Sequence, residues 1–158
     1  GPEGSSWRGA ASWGLAAASL SNAGLHPNQP FVALDVYFPS EPACSAAAVV
    51  ASISHDREVV SARLAAQSVT LAGERIESWP HAHGSVPQRY RIDIAAGHAR
   101  ISAGDDLIGA VPKRTMSTAP ESMLLHVSAP AECSVRVARI DYGNLPRAAA
   151  ATAVAARR

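Results

Sequence analysis

The chain lacks an excess of charge of either sign and has no long hydrophobic run. The chain has 14 Lys and Arg residues and 13 Asp and Glu residues, which gives a formal net charge of +1 over 158 residues. So small a charge provides no basic field for nucleic acid, and the arginines are spread along the chain. No stretch reaches the ~18 apolar residues of a membrane helix, and no charged start with an apolar core resembles a signal peptide. The sequence therefore predicts a soluble domain with no nucleic-acid partner and no direct membrane insertion.

Motifs of catalytic and cofactor sites are also missing. The sequence contains no Gly-x-Ser-x-Gly elbow, no phosphate-binding loop and no strong metal-ligand spacing. Asp105 and Asp106 are adjacent carboxylates, but neighbouring strand residues point to opposite faces, and a hairpin turn accounts for both. We therefore expect a protein that is not an enzyme and that binds no cofactor or metal.

The two cysteines, Cys44 and Cys133, are widely separated, and each lies near a turn that contains proline. They could form a disulfide across the domain in an oxidising compartment, or remain two buried thiols in the cytosol. The sequence leaves the pairing, the compartment and the oligomeric state open.

What is present is a strand pattern. Between Arg89 and Val111 the residues read as three short strands joined by two tight glycine turns, the second of them at Gly104-Asp105. Phe31 to Phe38 alternates in the same way and places Asp35 on the outer face. These patterns predict an all-β domain of antiparallel strands.

Three further segments need interpretation. Residues 45–54 combine helix-favouring Ala with strand-favouring Val and Ile, and the all-β context favours a strand. The apolar phase of the last strand shifts by one residue near Ala138-Arg139, which predicts a β-bulge. Residues 1–6 resemble a protease-cleavage and linker remnant, 7–146 form the single domain, and 147–158 are an Ala/Arg-rich tail or linker that could be a short helix.

The second half of the chain resembles the closing half of a concanavalin-A-like or laminin-G-like β-sandwich of the jelly-roll type. The segments that carry the resemblance are RYRIDIAAGHARISAGDDLIGAV, MLLHVSA and CSVRVARIDYG. The resemblance implies two packed antiparallel sheets and a binding role, often toward glycans or extracellular proteins. No binding residue of such a family can be transferred, because no galectin-like sugar motif and no acidic metal cluster is present.

Two groups of residues are candidates for ligand binding. Trp79, His81 and His83 surround the most loop-like interior stretch, where the tryptophan could stack on a sugar or instead fill one end of the core. The second group is a set of arginines on the predicted outer faces of strands: Arg89, Arg91, Arg136 and Arg139. Next to aspartates they would form a mixed-charge face for a protein or an anionic polymer, or an ordinary solvated face.

The sequence thus supports two hypotheses. The first is a non-catalytic, lectin-like recognition module of a larger protein that binds a glycan or protein ligand in a concave sheet or a rim pocket. The second is a protein-protein interaction or assembly domain that docks or self-associates without a small-ligand pocket.

Overall fold

The computed structural model describes residues 4–16, 19–20, 29–55, 58–83, 86–114 and 120–145. These residues include twelve β-strands and a short 3-10 helix at Pro42–Cys44. The strands are β1 (Ser5–Arg8), β2 (Ala10–Leu15), β3 (Pro30–Tyr37), β4 (Ala48–His55), β5 (Glu58–Ala65), β6 (Ser68–Ala72), β7 (Ile76–Pro80), β8 (Gln88–Ala95), β9 (His98–Ala103), β10 (Asp106–Pro112), β11 (Ser122–Ser128) and β12 (Ser134–Asn144).

The strands form two six-stranded sheets. Sheet A has the order β1-β12-β3-β8-β9-β10, and sheet B has the order β2-β11-β4-β5-β6-β7. All neighbouring strands are antiparallel. Successive hairpins build β4 to β7 and β8 to β10, whereas the other strands alternate between the sheets. The protein is therefore an all-β, two-sheet sandwich of the jelly-roll type, as the sequence predicted.

The core lies between the two sheets because each strand alternates a buried and an outward side chain. In β11, Met123, Leu125 and Val127 are buried, whereas Leu124 between them is 50% exposed. The inner faces carry mostly Val, Ile, Leu and Ala. Burying one such large aliphatic side chain stabilises the fold by about 1.5–3 kcal/mol relative to leaving it in water.

Several local predictions are confirmed. The meander forms β8, β9 and β10, with Gly97 and Gly104 at positive φ of 82° and 60° in its two turns. The ambiguous segment at 45–54 contains most of β4, a strand. In β12 the pairing with β3 shifts between Ala138 and Asp141, and Arg139 has a φ of 51°, which is the expected bulge.

The first strand begins inside the segment that the sequence predicted to be a linker. Ser5 and Ser6 pair with Val137 and Arg136 of β12, two residues before the predicted domain start at residue 7. The predicted tail at 147–158 lies outside the described residues. Within the described ranges, no helix is long and apolar enough to cross a membrane.

A disulfide joins Cys44 to Cys133 at one end of the sandwich, with their Cα atoms 5.7 Å apart. It links the β3–β4 connection to the turn before β12, across a sequence separation of 89 residues. A cross-link that closes so long a loop reduces the conformational freedom of the unfolded chain.

The indole of Trp79 in β7, an edge strand of sheet B, packs against β10, an edge strand of sheet A. Trp79 is half-buried, and its ring lies so close to Gly109 in β10 that a Cβ at that position would overlap the indole.

The same edge of the sandwich is closed by an ion pair. The Nζ of buried Lys113, just after β10, donates to Glu58 Oε1 of β5 at 2.8 Å and to the Arg114 carbonyl at 2.8 Å.

We expect Gly109→Ala to lower the free energy of unfolding by about 1–3 kcal/mol, because the added methyl group displaces the indole. The same substitution should cost much less in a Trp79→Ala background, where the space is open. Urea unfolding of the four proteins in this double-mutant cycle measures the coupling. An equal loss of unfolding free energy from Gly109→Ala in both backgrounds would show that the added methyl group does not displace the indole.

Candidate functional site

The predicted histidine segment lies between the sheets rather than on an outer surface. Beyond the end of β7, the N–H of His81 donates to the Gln67 carbonyl at 3.0 Å, and the N–H of His83 donates to the Ala66 carbonyl at 2.9 Å. The two histidines continue the alternation of Trp79, so their rings also face sheet A. Trp79, His81 and His83 therefore form a row along β7 and its extension, with their rings directed toward sheet A.

Hydrogen bonds connect both imidazoles to β8. His81 Nε2 lies 2.8 Å from Gln88 Oε1, which also accepts a hydrogen bond from the Tyr90 hydroxyl at 2.9 Å. His83 Nδ1 lies 2.9 Å from the same hydroxyl. The His83 ring also meets the edge of Phe38, with centroids 4.8 Å apart. These hydrogen bonds hold His81 and His83 against sheet A.

Burial shifts the pKa values of His83 and Tyr90. Desolvation lowers the pKa of His83, although the backbone of Val36 offsets part of the shift. Its Nε2 atom is buried and makes no hydrogen bond of normal geometry with the described residues. Burial also raises the pKa of Tyr90 to about 12. Both side chains are therefore uncharged at neutral pH.

The predicted arginine face is the outer face of sheet A, where aspartates neutralise much of its charge. Arg89 Nη1 donates to Asp35 Oδ1 and to the Arg139 carbonyl, each at 3.0 Å, and Nη2 donates to Asp141. Arg139 Nε lies 3.9 Å from Asp35, and its side chain is 73% exposed. The structure thus groups Arg89 and Arg139 around Asp35.

The other two predicted arginines lie apart from that group. Arg91 Nε is 3.1 Å from Asp93 Oδ2, and the buried Arg100 donates to the other oxygen of Asp93 at 2.6 Å. Arg136 is exposed on β12 opposite Tyr37 and forms no ion pair with any residue in the described ranges. The four arginines therefore do not make one open basic surface.

The outer face of sheet B has a different character. One continuous row crosses all six strands through directly paired residues. The row consists of Ser12, His126, Val50, Arg63, Thr70 and Ser78. At the usual strand spacing it is roughly 24 Å long.

Hydroxyl groups line much of this row. Ser12 Oγ lies 3.3 Å from His126 Nδ1, and Thr70 Oγ1 lies 2.8 Å from Ser78 Oγ. Arg63 is exposed in the middle of the row and has no ion-pair partner within the described part of the chain. The row therefore presents an available guanidinium between Val50 and Thr70.

Among the outward residues that the structure describes on sheet B, none is acidic. The outward side chains outside the row of Arg63 are small or apolar. Among them, Val59 and Leu124 are about half exposed, at 49% and 50%. The outward residues are Ala10, Ser12, Gly14, Ala48, Val50, Ser52, Ser54, Val59, Ser61, Arg63, Ala65, Ser68, Thr70, Ala72, Ile76, Ser78, Pro80, Ser122, Leu124, His126 and Ser128. The charge of Arg63 therefore remains unopposed across this surface.

Sequence reasoning missed this face. The alternation of Arg63 with Ala62 and Leu64 does show that the arginine points outward. The alignment of Arg63 with Thr70 and His126 depends on strand pairing, which the alternation within one strand does not specify.

The described residues contain no group of three or more His, Cys, Asp or Glu side chains placed to hold a metal ion. One ring nitrogen of His81 is hydrogen-bonded to Gln88, and one ring nitrogen of His83 is hydrogen-bonded to Tyr90.

Sequence comparison finds no matching protein family and no similar curated protein. Among solved structures, the carbohydrate-binding module CBM66 from Bacillus subtilis is 8% identical, with a TM-score of 0.56 over 87% of this chain and 84% of that chain. Sheep galectin-11 in complex with glycerol is 5% identical, with a TM-score of 0.52 over 86% and 98%. The alginate lyase AlgAT5 from polysaccharide lyase family 7 is 11% identical, with a TM-score of 0.53 over 86% and 63%.

These similarities define the class of the fold, which is the concanavalin-like jelly-roll β-sandwich. The sequence resemblance to this fold is confirmed. The similar structures include a binding module and an enzyme, so the fold alone does not assign an activity.

We expect the free energy of unfolding to fall as the pH decreases from about 6.5 toward the lowered pKa of folded His83. Between these two pH values the imidazole binds a proton in the unfolded chain but not in the folded chain. The free energy of unfolding is therefore greatest above about pH 6.5. His83→Gln should reduce this pH dependence, whereas His98→Gln, at an exposed position, should not. Urea unfolding at pH 7.5 and pH 5.0 tests the difference, and an unchanged slope in His83→Gln would contradict it.

Proposed function

We propose that this protein is a non-catalytic glycan-recognition module that binds a polysaccharide across the outer face of sheet B. The observation that carries the proposal is Arg63, which has no ion-pair partner among the described residues and lies in a row with several hydroxyl groups, on a face whose described residues include no acid. The similarity of the fold to a carbohydrate-binding module and a galectin supports the same class of ligand.

The side chains of the row match the chemistry of an acidic sugar chain. The guanidinium of Arg63 can donate two parallel hydrogen bonds to a carboxylate. Thr70, Ser78 and Ser12 can exchange hydrogen bonds with sugar hydroxyls. Since the face carries no Asp or Glu, nothing on it repels an anionic polymer.

The same face supports binding without catalysis. Hydrolysis of a glycosidic bond generally requires two carboxyl groups beside the scissile bond. The outward residues of sheet B supply none, although the Ser12–His126 and Thr70–Ser78 pairs supply hydrogen-bonding groups. We therefore assign this face a recognition role.

The alternative of a protein-docking domain has weaker support. It would use the outer face of sheet A, where Asp35, Asp93 and Asp141 already engage Arg89 and Arg91. A partner that bound there would have to compete with these internal pairs. We therefore place the ligand on sheet B.

Arg63→Gln should weaken binding to polygalacturonate on the order of tenfold, because it removes one charge-assisted contact. Arg75→Gln, at an exposed turn position, is the matched control and should bind like the parent protein. Isothermal titration with polygalacturonate, and with dextran as a neutral polymer, gives the affinities. Equal binding by Arg63→Gln, or no binding of polygalacturonate by the parent protein, would refute the proposed function.

A further inference from the structure

Two open depressions lie side by side at the disulfide end of the sandwich, where the chain leaves β3. Their volumes are about 370 Å³ and 410 Å³. Both are lined by Tyr37, Pro39 and Glu41, so these three residues form a ridge between them. Volumes of this size are typical of small-ligand sites.

The walls of the second depression are fixed by the disulfide. Cys44 ends the 3-10 helix that follows Glu41, and its N–H donates to the Glu41 carbonyl at 2.8 Å. Cys133 follows Glu132, and its N–H donates to the Pro130 carbonyl at 2.9 Å. Because the disulfide joins these two turns, the two glutamates are held on connected and constrained backbone. Such preorganisation reduces the ordering that a ligand must cause.

Three charged side chains around this depression are unpaired. Glu41, Glu132 and Arg136 line it, and none of them forms an ion pair with another residue in the described ranges. Tyr37 lies directly opposite Arg136 in the β3–β12 pairing and is only partly buried. The depression is therefore lined by an aromatic ring together with two carboxylates and a guanidinium that can contact a ligand.

The first depression offers a complementary surface on the other side of the ridge. Phe38 and His83 line it, and their rings meet edge to face. The Gln67 side chain contributes an amide that can both donate and accept hydrogen bonds. This side thus combines apolar rings with a neutral polar group.

We propose that these depressions form a second ligand site, which takes a neutral sugar unit stacked on Tyr37. The presence of both charge signs beside an aromatic ring suits this class. A simple anion would be repelled by Glu41 and Glu132, and a cation attracted by these carboxylates would leave the guanidinium of Arg136 without a partner. A neutral polyol has hydroxyls that donate to the carboxylates and accept from the guanidinium, while its C–H face packs on the aromatic ring.

This site is separate from the outer face of sheet B. Tyr37 and Arg136 belong to strands of sheet A, whereas Arg63 lies in the middle of sheet B. The two proposals can therefore fail independently, since one concerns a neutral unit in a cleft and the other an acidic chain on an open face.

The test is an NMR titration of the parent protein with four neutral hexasaccharides: cellohexaose, laminarihexaose, maltohexaose and xylohexaose. With at least one of them we expect shifts in the amide signals of Tyr37, Glu41 and Ser134. Tyr37→Leu, which keeps apolar bulk without an aromatic face, should weaken that binding at least tenfold. Tyr142→Leu, at another partly buried tyrosine of sheet A, and Arg63→Gln should leave it unchanged.

Glu41→Gln provides a second variant on an exposed loop, where loss of the charge should weaken binding while the fold is preserved. Thermal unfolding of each variant confirms that it is folded. The proposal is overturned if no hexasaccharide shifts the amide signals of residues that line the two depressions, or if the shifted signals lie only on sheet B. It is also overturned if both Tyr37→Leu and Glu41→Gln bind like the parent protein. Polygalacturonate binding that depends on Arg63 would stand in each of these cases.

Discussion

The rest of the structure depends on bringing the apolar faces of two six-stranded sheets together. Neither sheet can leave its Val, Ile and Leu face in water, so the chain alternates between sheets at its two ends and builds hairpins in the middle. The edges and ends of the interface still have to be closed. Trp79 closes one edge against Gly109, and the disulfide closes one end.

Closure of the sandwich uses residues that a reader of the sequence would assign to ligand binding. From the sequence, Trp79 and the two histidines that follow it could bind a sugar, or the tryptophan could fill one end of the core. In the structure, His81 and His83 are half-buried and hydrogen-bond to Gln88 and Tyr90. The surfaces proposed for ligands are the outer face of sheet B, which closure does not use, and the two depressions beside Tyr37, which share His83 and the disulfide with the closed end of the sandwich.

The predictable part of the structure was the part that is local in sequence. Alternation within a strand located β3 and the β8–β10 meander, and the shifted phase in the last strand located the bulge at Arg139. The partners of Arg89 could not be found in this way, because Asp35 and Asp141 lie more than fifty residues from it. For the same reason the row around Arg63 emerges only from the pairing of six strands, and the depression beside Tyr37 only from the β3–β12 pairing together with the disulfide.

The ion pair between Lys113 and Glu58 has a practical consequence. Lys113 is the only lysine in the chain, and it is 4% exposed, with its Nζ bound to Glu58 and to a backbone carbonyl. Every other basic side chain apart from histidine is an arginine, which does not react with amine-directed reagents. Labels, cross-linkers and coupling resins that acylate lysine will therefore find no accessible side chain on the folded domain. Reaction at Lys113 would instead report that the end of β10 has separated from β5.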